Sequence, residues 1–212
     1  MQDLEVFANR EDDELDPLIK MAVIHDQFEA IHPFHDSNGR AGRIVLILHL
    51  LLRGLLDQPI LFLSHYIIER KGDYYRRLRE VTEDRAWEAW ILYLLEAVEL
   101  TAAATSQKIE AIEKLLESMT EEARRKLPTR MFKKELIEFI FEHPYSRIRS
   151  LEQAGIGGIA QRVTASKYLN ELARAGLVET RKIGREVLFM NTRLVDLLGG
   201  SGHPAASGGR EK

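Results

Sequence analysis

No cysteine occurs among the 212 residues. Disulfide staples, thiolate nucleophiles and cysteine-held zinc or iron–sulfur sites are therefore excluded, and a cytoplasmic, reducing setting is expected. There is no G-x-x-x-x-G-K-[ST] run, so the chain has no P-loop. No secretory leader opens it, because the first residues are mixed and acidic rather than basic followed by apolar. Long hydrophobic runs are missing too. The most apolar stretch, Ile44 to Leu56, is interrupted by His49 and Arg53 and is shorter than the roughly 20 apolar residues that span a bilayer. No membrane partner is expected. Before residue 118 no stretch has the alternation of a strand, which also excludes a strand-led dinucleotide turn.

What is present is ordinary for a globular chain. Hydrophobic residues make up 45% and charged residues 30%, enough apolar material for one large core or two small ones. The net charge of −3 conceals a split. Arg124 to Arg193 carries 15 Lys and Arg against 7 Asp and Glu, a local +8, whereas the rest carries 15 against 26, or −11. Such asymmetry predicts two units with different partners.

Apolar spacing predicts helices over 14–31, from Gly39 to Leu56, from Ser64 (a candidate cap) through Leu78 with Gly72 as a break, and from Trp87 onward through Leu116. The Gly39–Leu56 helix is apolar on most faces and is expected in the centre of its domain. The charged stretch Glu121–Lys126 followed by Pro128 reads as a linker. Beyond it, helices over 131–142, 146–154 and 163–175 precede LVETRKIGREVLFMN, which alternates about Gly184 as a β-hairpin, and Gly176 suits a left-handed helix cap. The fold class is mainly α: an all-α domain over 1–118, a linker over 119–129, a small winged helix-turn-helix of three helices plus hairpin over 130–197, and a disordered polar tail over 198–212.

The densest chemistry lies in HPFHDSNGRAGR, residues 32–43. Asn38, Gly39 and the amides after them form a predicted helix N-terminus, which offers free N–H groups and positive potential to an anion. Arg40 and Arg43, three apart, share a helix face and suit bidentate phosphate contacts. Asp36 beside this cationic cluster suits a Mg²⁺ that keeps several waters. His32 titrates near neutrality and is a candidate base. Phe34 is expected to anchor the loop in the core, and His35 to face solvent. Together these residues describe a nucleotide polyphosphate site with a base. A metal-hydrolase cluster built from His25, Glu29, His32 and Asp36 is disfavoured, because the two arginines repel a metal; His25 and Glu29 are expected to brace the loop.

The stretch resembles the Fic motif H-P-F-x-[DE]-G-N-G-R-x-x-R at every defined position except Ser37, where the family has glycine. GDYYRRL resembles the segment supplying the adenine pocket, which implicates Tyr74 and Tyr75, while Thr82 stands where the family has asparagine. FIFEHPYSRI and TASKYLNELARAGLVETRKIGREVLF resemble the winged-helix end of Fic/DOC protein adenylyltransferases, so the resemblance covers roughly residues 15–197. The resemblance implies a protein adenylyltransferase. His32 would deprotonate a Tyr, Thr or Ser hydroxyl of a target protein, Asp36 would hold Mg²⁺, Asn38 and Gly39 would stabilise the α-phosphate of ATP, and Arg40 and Arg43 would bind the β- and γ-phosphates. Phosphotransfer by the same fold fits the Asn38-Gly39-Arg40 cradle less well. The family's N-terminal target flap and inhibitory [ST]-x-x-x-E-[GN] helix have no counterpart in this sequence, so a chain without its own brake or flap is expected. In the second domain, Thr164, Ser166, Lys167 and Asn170 on a helix with Arg181, Lys182 and Arg185 on the hairpin suit phosphate contacts. DNA is the less favoured partner there, beside protein docking or a homodimer.

Overall fold

The computed structural model describes residues 1–10, 14–184 and 186–199. It divides into two compact units, Met1–Ser106 and Gln107–Lys212. Unit 1 contains α1 (Gln2–Asn9), α2 (Pro17–Ile31), α3 (Asn38–Leu52), α4 (Leu63–Glu69), α5 (Lys71–Asp84) and the first half of α6 (Trp87–Lys126). The helix α1 has no counterpart in the sequence expectation. Helix α2 begins where Asp16 accepts a hydrogen bond from the Leu18 N–H at 2.8 Å, with Pro17 in the first turn; an acidic cap and a proline that has no N–H to lose both favour that start.

The core of unit 1 is aromatic at its centre. Trp90 is fully buried, donates its indole N–H to Ala22 O at 2.8 Å and stacks on Tyr93 at 6.0 Å. Helix α3 meets this core through Leu46 and Leu50, with Ile47 packed against it, while Ile44, Leu48 and Leu52 are 60%, 57% and 65% exposed. The expected central burial of this helix is thus met on one face alone. Periodicity reports how many faces are apolar and does not report what covers them.

Unit 2 starts on the second half of α6. The stretch expected as a linker is helical up to Lys126, and Met119 and Ala123 are buried in the core of unit 2. The charges misled because they occupy the outer face of that helix, where Glu122 accepts from Lys126 at 2.7 Å and Arg193 at 2.6 Å; these two partners hold the Glu122 carboxyl at about 2. There follow α7 (Lys134–Glu142), β1 (Tyr145–Ser146), α8 (Ile148–Ala154), a 3₁₀ turn (Ile156–Gly158), α9 (Arg162–Arg174), β2 (Glu179–Ile183), β3 (Glu186–Met190) and α10 (Thr192–Gly199). The sheet is antiparallel in the order β1-β3-β2, with Thr180 opposite Phe189 and Ile183 opposite Glu186. This helix and strand order matches the expected three helices plus hairpin, with α10 added.

Gly176, at φ +71, ends α9 by donating to Ala173 O while Leu177 donates to Leu172 O, both at 3.0 Å, the paired bonds of a Schellman cap. Asn191 caps α10 through the Leu194 N–H. Of the expected tail, residues 198 and 199 close α10 and the rest lies outside the described residues. Among the described residues no helix is long and apolar enough to cross a membrane.

Candidate active site

The candidate loop, residues 32–37, connects α2 to α3. Two non-glycine residues bound it in left-handed conformations, His32 at φ +50 and Ser37 at φ +71. His32 is where α2 stops: its N–H still bonds Phe28 O at 3.1 Å, but Pro33 disfavours continued helix at the preceding residue. Residues held in this region cost of order 1 kcal/mol or more each and persist where neighbours fix them. Here the neighbour is Asn38. Its side-chain oxygen accepts from the Phe34 N–H at 2.9 Å and its amide donates to Phe34 O at 2.6 Å. Asn38 is buried, and its side chain closes the loop rather than facing a ligand, so any anion contact it makes comes through its backbone N–H.

Phe34, expected in the core, is 52% exposed and touches only one ring, that of Phe28, at 6.2 Å. The anchoring it was expected to supply is supplied by Asn38. His35 faces solvent as expected. Asp36 is exposed, and its Oδ1 accepts from the Ser37 N–H at 2.6 Å. The first turn of α3 has no side-chain cap and no acidic residue, which leaves its N–H groups and positive end open. Arg40 donates to Ser37 Oγ. Arg43 turns back, its Nε donating to Ser64 Oγ at 3.0 Å. Both arginines line one cleft of about 410 Å³ whose other walls include Ile44, Leu48, Phe62 and Ser64. Ser64, expected as a helix cap, instead holds Arg43; side chains 21 residues apart give no local signal of such a bond.

Beneath α3 lies a buried polar pair. His25, fully buried, shares a 2.8 Å hydrogen bond with Tyr74 Oη and stacks on Trp90 at 6.0 Å. Burial, and secondarily Arg43, holds the His25 imidazole down at about 4, and the nearby Gly42 backbone opposes this weakly. Burial pushes the Glu29 carboxyl up, against the opposing pull of Arg43 and His32. Glu29 Oε1 and His25 Nδ1 are buried without a hydrogen-bond partner. The bracing expected of these two residues takes a specific form: they fill the space under Gly42, where a Cβ would come within 2.5 Å of Glu29 Oε1 and 3.0 Å of His25 Cε1. The Gly42→Ala variant is expected to lose roughly 1–3 kcal/mol to this overpacking, partly offset by the better helix propensity of alanine, about 1 kcal/mol. A denaturant melt measures the loss, and a double-mutant cycle with Glu29→Ala should recover part of it.

Tyr74 is 3% exposed and belongs to the core, so it does not line an open adenine pocket. Its hydroxyl is used on His25, and burial raises its phenol well above the usual tyrosine range. Tyr75 is 55% exposed, packs edge-on against Tyr74 at 5.2 Å, and keeps a surface from which to contact a ligand. Among the described residues, no group of three or more His, Cys, Asp or Glu could hold a metal ion by itself. The disfavoured hydrolase cluster is therefore not assembled.

Residues 1–50 match the Fic/DOC family, and residues 115–194 match the C-terminal domain of SoFic-like protein adenylyltransferases. A stretch of 48 residues is 46% identical to a probable protein adenylyltransferase of Aquifex aeolicus (strain VF5), covering 23% of the chain and 15% of that protein. A Fic family protein from Desulfovibrio desulfuricans G20, known from a crystal structure, aligns with a TM-score of 0.43 at 20% identity over 89% of this chain and 53% of the other. The chain thus spans about half the length of that relative and a smaller part of the first.

Ser37 stands where the Fic motif that this loop resembles has glycine. The family's glycine falls at a position with φ +71, which glycine adopts at no steric cost. The Ser37→Gly variant should raise the unfolding free energy by roughly 0.5–1 kcal/mol, read as a higher urea midpoint with unchanged slope. It also frees Arg40 from the Ser37 hydroxyl.

Proposed function

We propose that the chain transfers AMP from ATP to a hydroxyl side chain of a target protein. The observation that carries this reading is the uncapped, acid-free first turn of α3 standing beside a cleft lined by Arg40 and Arg43. Backbone N–H groups at Asn38 and Gly39 would face oxygens of the α-phosphate, where charge builds as the hydroxyl attacks. Arg40 and Arg43 would bind the β- and γ-phosphates, which orients the leaving pyrophosphate away from the loop. His32, exposed at the start of the loop, would accept the hydroxyl proton as the new O–P bond forms and the Pα–O bond to pyrophosphate breaks. Tyr75 is the aromatic candidate for the base of the nucleotide.

Mg²⁺ fits the donor set. Asp36 is an exposed carboxylate that belongs, among the described residues, to no group of three or more candidate ligands, and a single carboxylate is the kind of ligand Mg²⁺ uses when phosphate oxygens and water supply the rest. Bound there, it would neutralise charge on the phosphates.

The test is incubation with ATP labelled at the α- or the γ-phosphate, followed by protein electrophoresis of the chain alone and with a cell lysate. Label from the α position only is expected. Label from the γ position only would overturn AMP transfer in favour of phosphotransfer.

A further inference from the structure

The second unit carries a cationic surface that the transfer reaction does not use. Among the described residues its ion pairs join Lys114 with Glu110, Arg124 with Glu121, Arg147 with Glu186, Lys134 with Glu138, Arg174 with Glu171, and Arg193 and Lys126 with Glu122. Arg162, Lys167, Arg181 and Lys182 have no ion pair among these, although all four are exposed. They occupy two neighbouring elements. Arg162 opens α9, and Lys167 lies in its outward stripe with Val163, Asn170 and Arg174, opposite the buried Ala165, Leu169 and Leu172. Arg181 and Lys182 lie on β2, which is exposed at every position. Five residues after the end of α9, β2 begins, and Leu169 and Leu172 of α9 share one core with Phe189 of β3, the strand paired to β2. Arg185 lies outside the described residues.

The geometry points to a surface that binds the phosphate backbone of duplex DNA through α9 and the β2–β3 hairpin. Three features choose this partner over a protein. The α9 stripe has one apolar side chain, Val163, at 81% exposure, and the hairpin adds the partly exposed Ile183 and Val187; the rest of the surface is charged or polar, whereas the centre of a protein interface is depleted in charge. Charge over Arg124–Arg193 is +8 within a chain of net −3, so the attraction is concentrated here and serves a polyanion. Third, successive residues of a strand point to opposite faces, so Arg181, opposite Leu188, and Lys182, opposite Val187, send cations to both sides of the hairpin. A ribbon entering a groove meets a phosphate chain on each side, and this arrangement serves both. Helix α9 offers its polar stripe to the adjacent groove. The Asn170 amide is already used on Ser166 O at 2.8 Å, so these contacts position the protein on DNA and carry little sequence reading.

The experiment uses the full chain and a fluorescein-labelled 24-base-pair duplex of mixed sequence, followed by anisotropy at 50–200 mM NaCl. Four phosphate contacts predict a slope of log K against log salt near −3.6, hence roughly a 100-fold weakening across that range. The triple variant Lys167→Ala, Arg181→Ala, Lys182→Ala should reduce the slope by about three and leave the melting temperature unchanged. Removing Arg125, a cation on α6 and so outside α9 and the hairpin, should leave binding intact. No binding at 50 mM NaCl, a triple variant that binds like the parent, or equal binding to a duplex RNA of the same sequence would each overturn the proposal. His32→Ala is expected to bind the duplex as the parent does, which separates this test from that of AMP transfer.

Discussion

The His32→Ala variant should lose roughly 10²–10⁴-fold in the rate of AMP transfer, the contribution typical of a positioned general base. The loss should fall on kcat. His32 is exposed, and its backbone rather than its side chain closes α2. The nucleotide contacts proposed for Arg40, Arg43 and the amides of α3 do not involve the imidazole. An interaction needed only when the proton moves lowers kcat and kcat/KM together, while loss of ground-state binding raises KM alone. Nucleotide binding measured by calorimetry, and the melting temperature, should therefore stay at parental values. Full transfer activity in the variant would remove His32 from the reaction. A rise in KM with kcat preserved would instead make it a phosphate-binding residue.

Acid should destabilise unit 1 through a residue that performs no chemistry. His25 ordinarily titrates at 6.5 and is held at about 4 in the fold, first by burial and then by Arg43. Between these values the unfolded chain takes up a proton that the folded chain refuses, so unfolding becomes easier as the pH falls. Above 6.5 the stabilisation is complete; it decreases by about 1.4 kcal/mol per pH unit on acidification and amounts to about 3 kcal/mol by pH 4. Two carboxyls act in the opposite sense. Burial raises those of Asp26 and Glu29, so the folded state gains their protons before the unfolded state does, and this offsets part of the loss at the acid end. The loss from His25 begins as the pH falls through 6.5. Urea melts at half-unit steps from pH 6.5 to 5 should show the midpoint decreasing steadily, and a flat profile would show that His25 is protonated in the fold. Because the ring bonds Tyr74 and sits under Gly42, the phosphate loop should loosen over the same interval.

The parts of this protein legible in its sequence are those set within a few residues. Pro33 after His32 ends a helix whatever surrounds it, Asn38-Gly39 starts the next, and Gly176 caps α9 where a left-handed residue was expected. The spacing of Arg40 and Arg43 places them on one side of α3, and they do share a cleft. Alternation about Gly184 gives a hairpin, which the pairing of Ile183 with Glu186 bears out. The charged run before Pro128 was misread as a linker because composition reports solvent exposure on one helix face as readily as it reports an unstructured stretch.

Partners distant in sequence were a different matter. Tyr74 and Tyr75 are adjacent and chemically alike, yet one is buried on His25, 49 residues away, and the other is exposed. Helical spacing shows that they point in different directions and does not show which direction is inward. Phe34 was assigned to the core because it is large and apolar, but the Asn38 side chain closes the loop and leaves the ring half exposed. Ser37 matched the motif imperfectly in sequence, and the backbone dihedral gives that mismatch its physical meaning. Sequence alone shows the order of the helices, the loop proposed to carry the base and the phosphate-binding groups, and the division of charge between two units, because each follows from local sterics or from counting. The tertiary structure alone decided which tyrosine is free, how Arg43 is held and why residue 42 must be glycine, because each depends on side chains brought together from helices far apart in the chain.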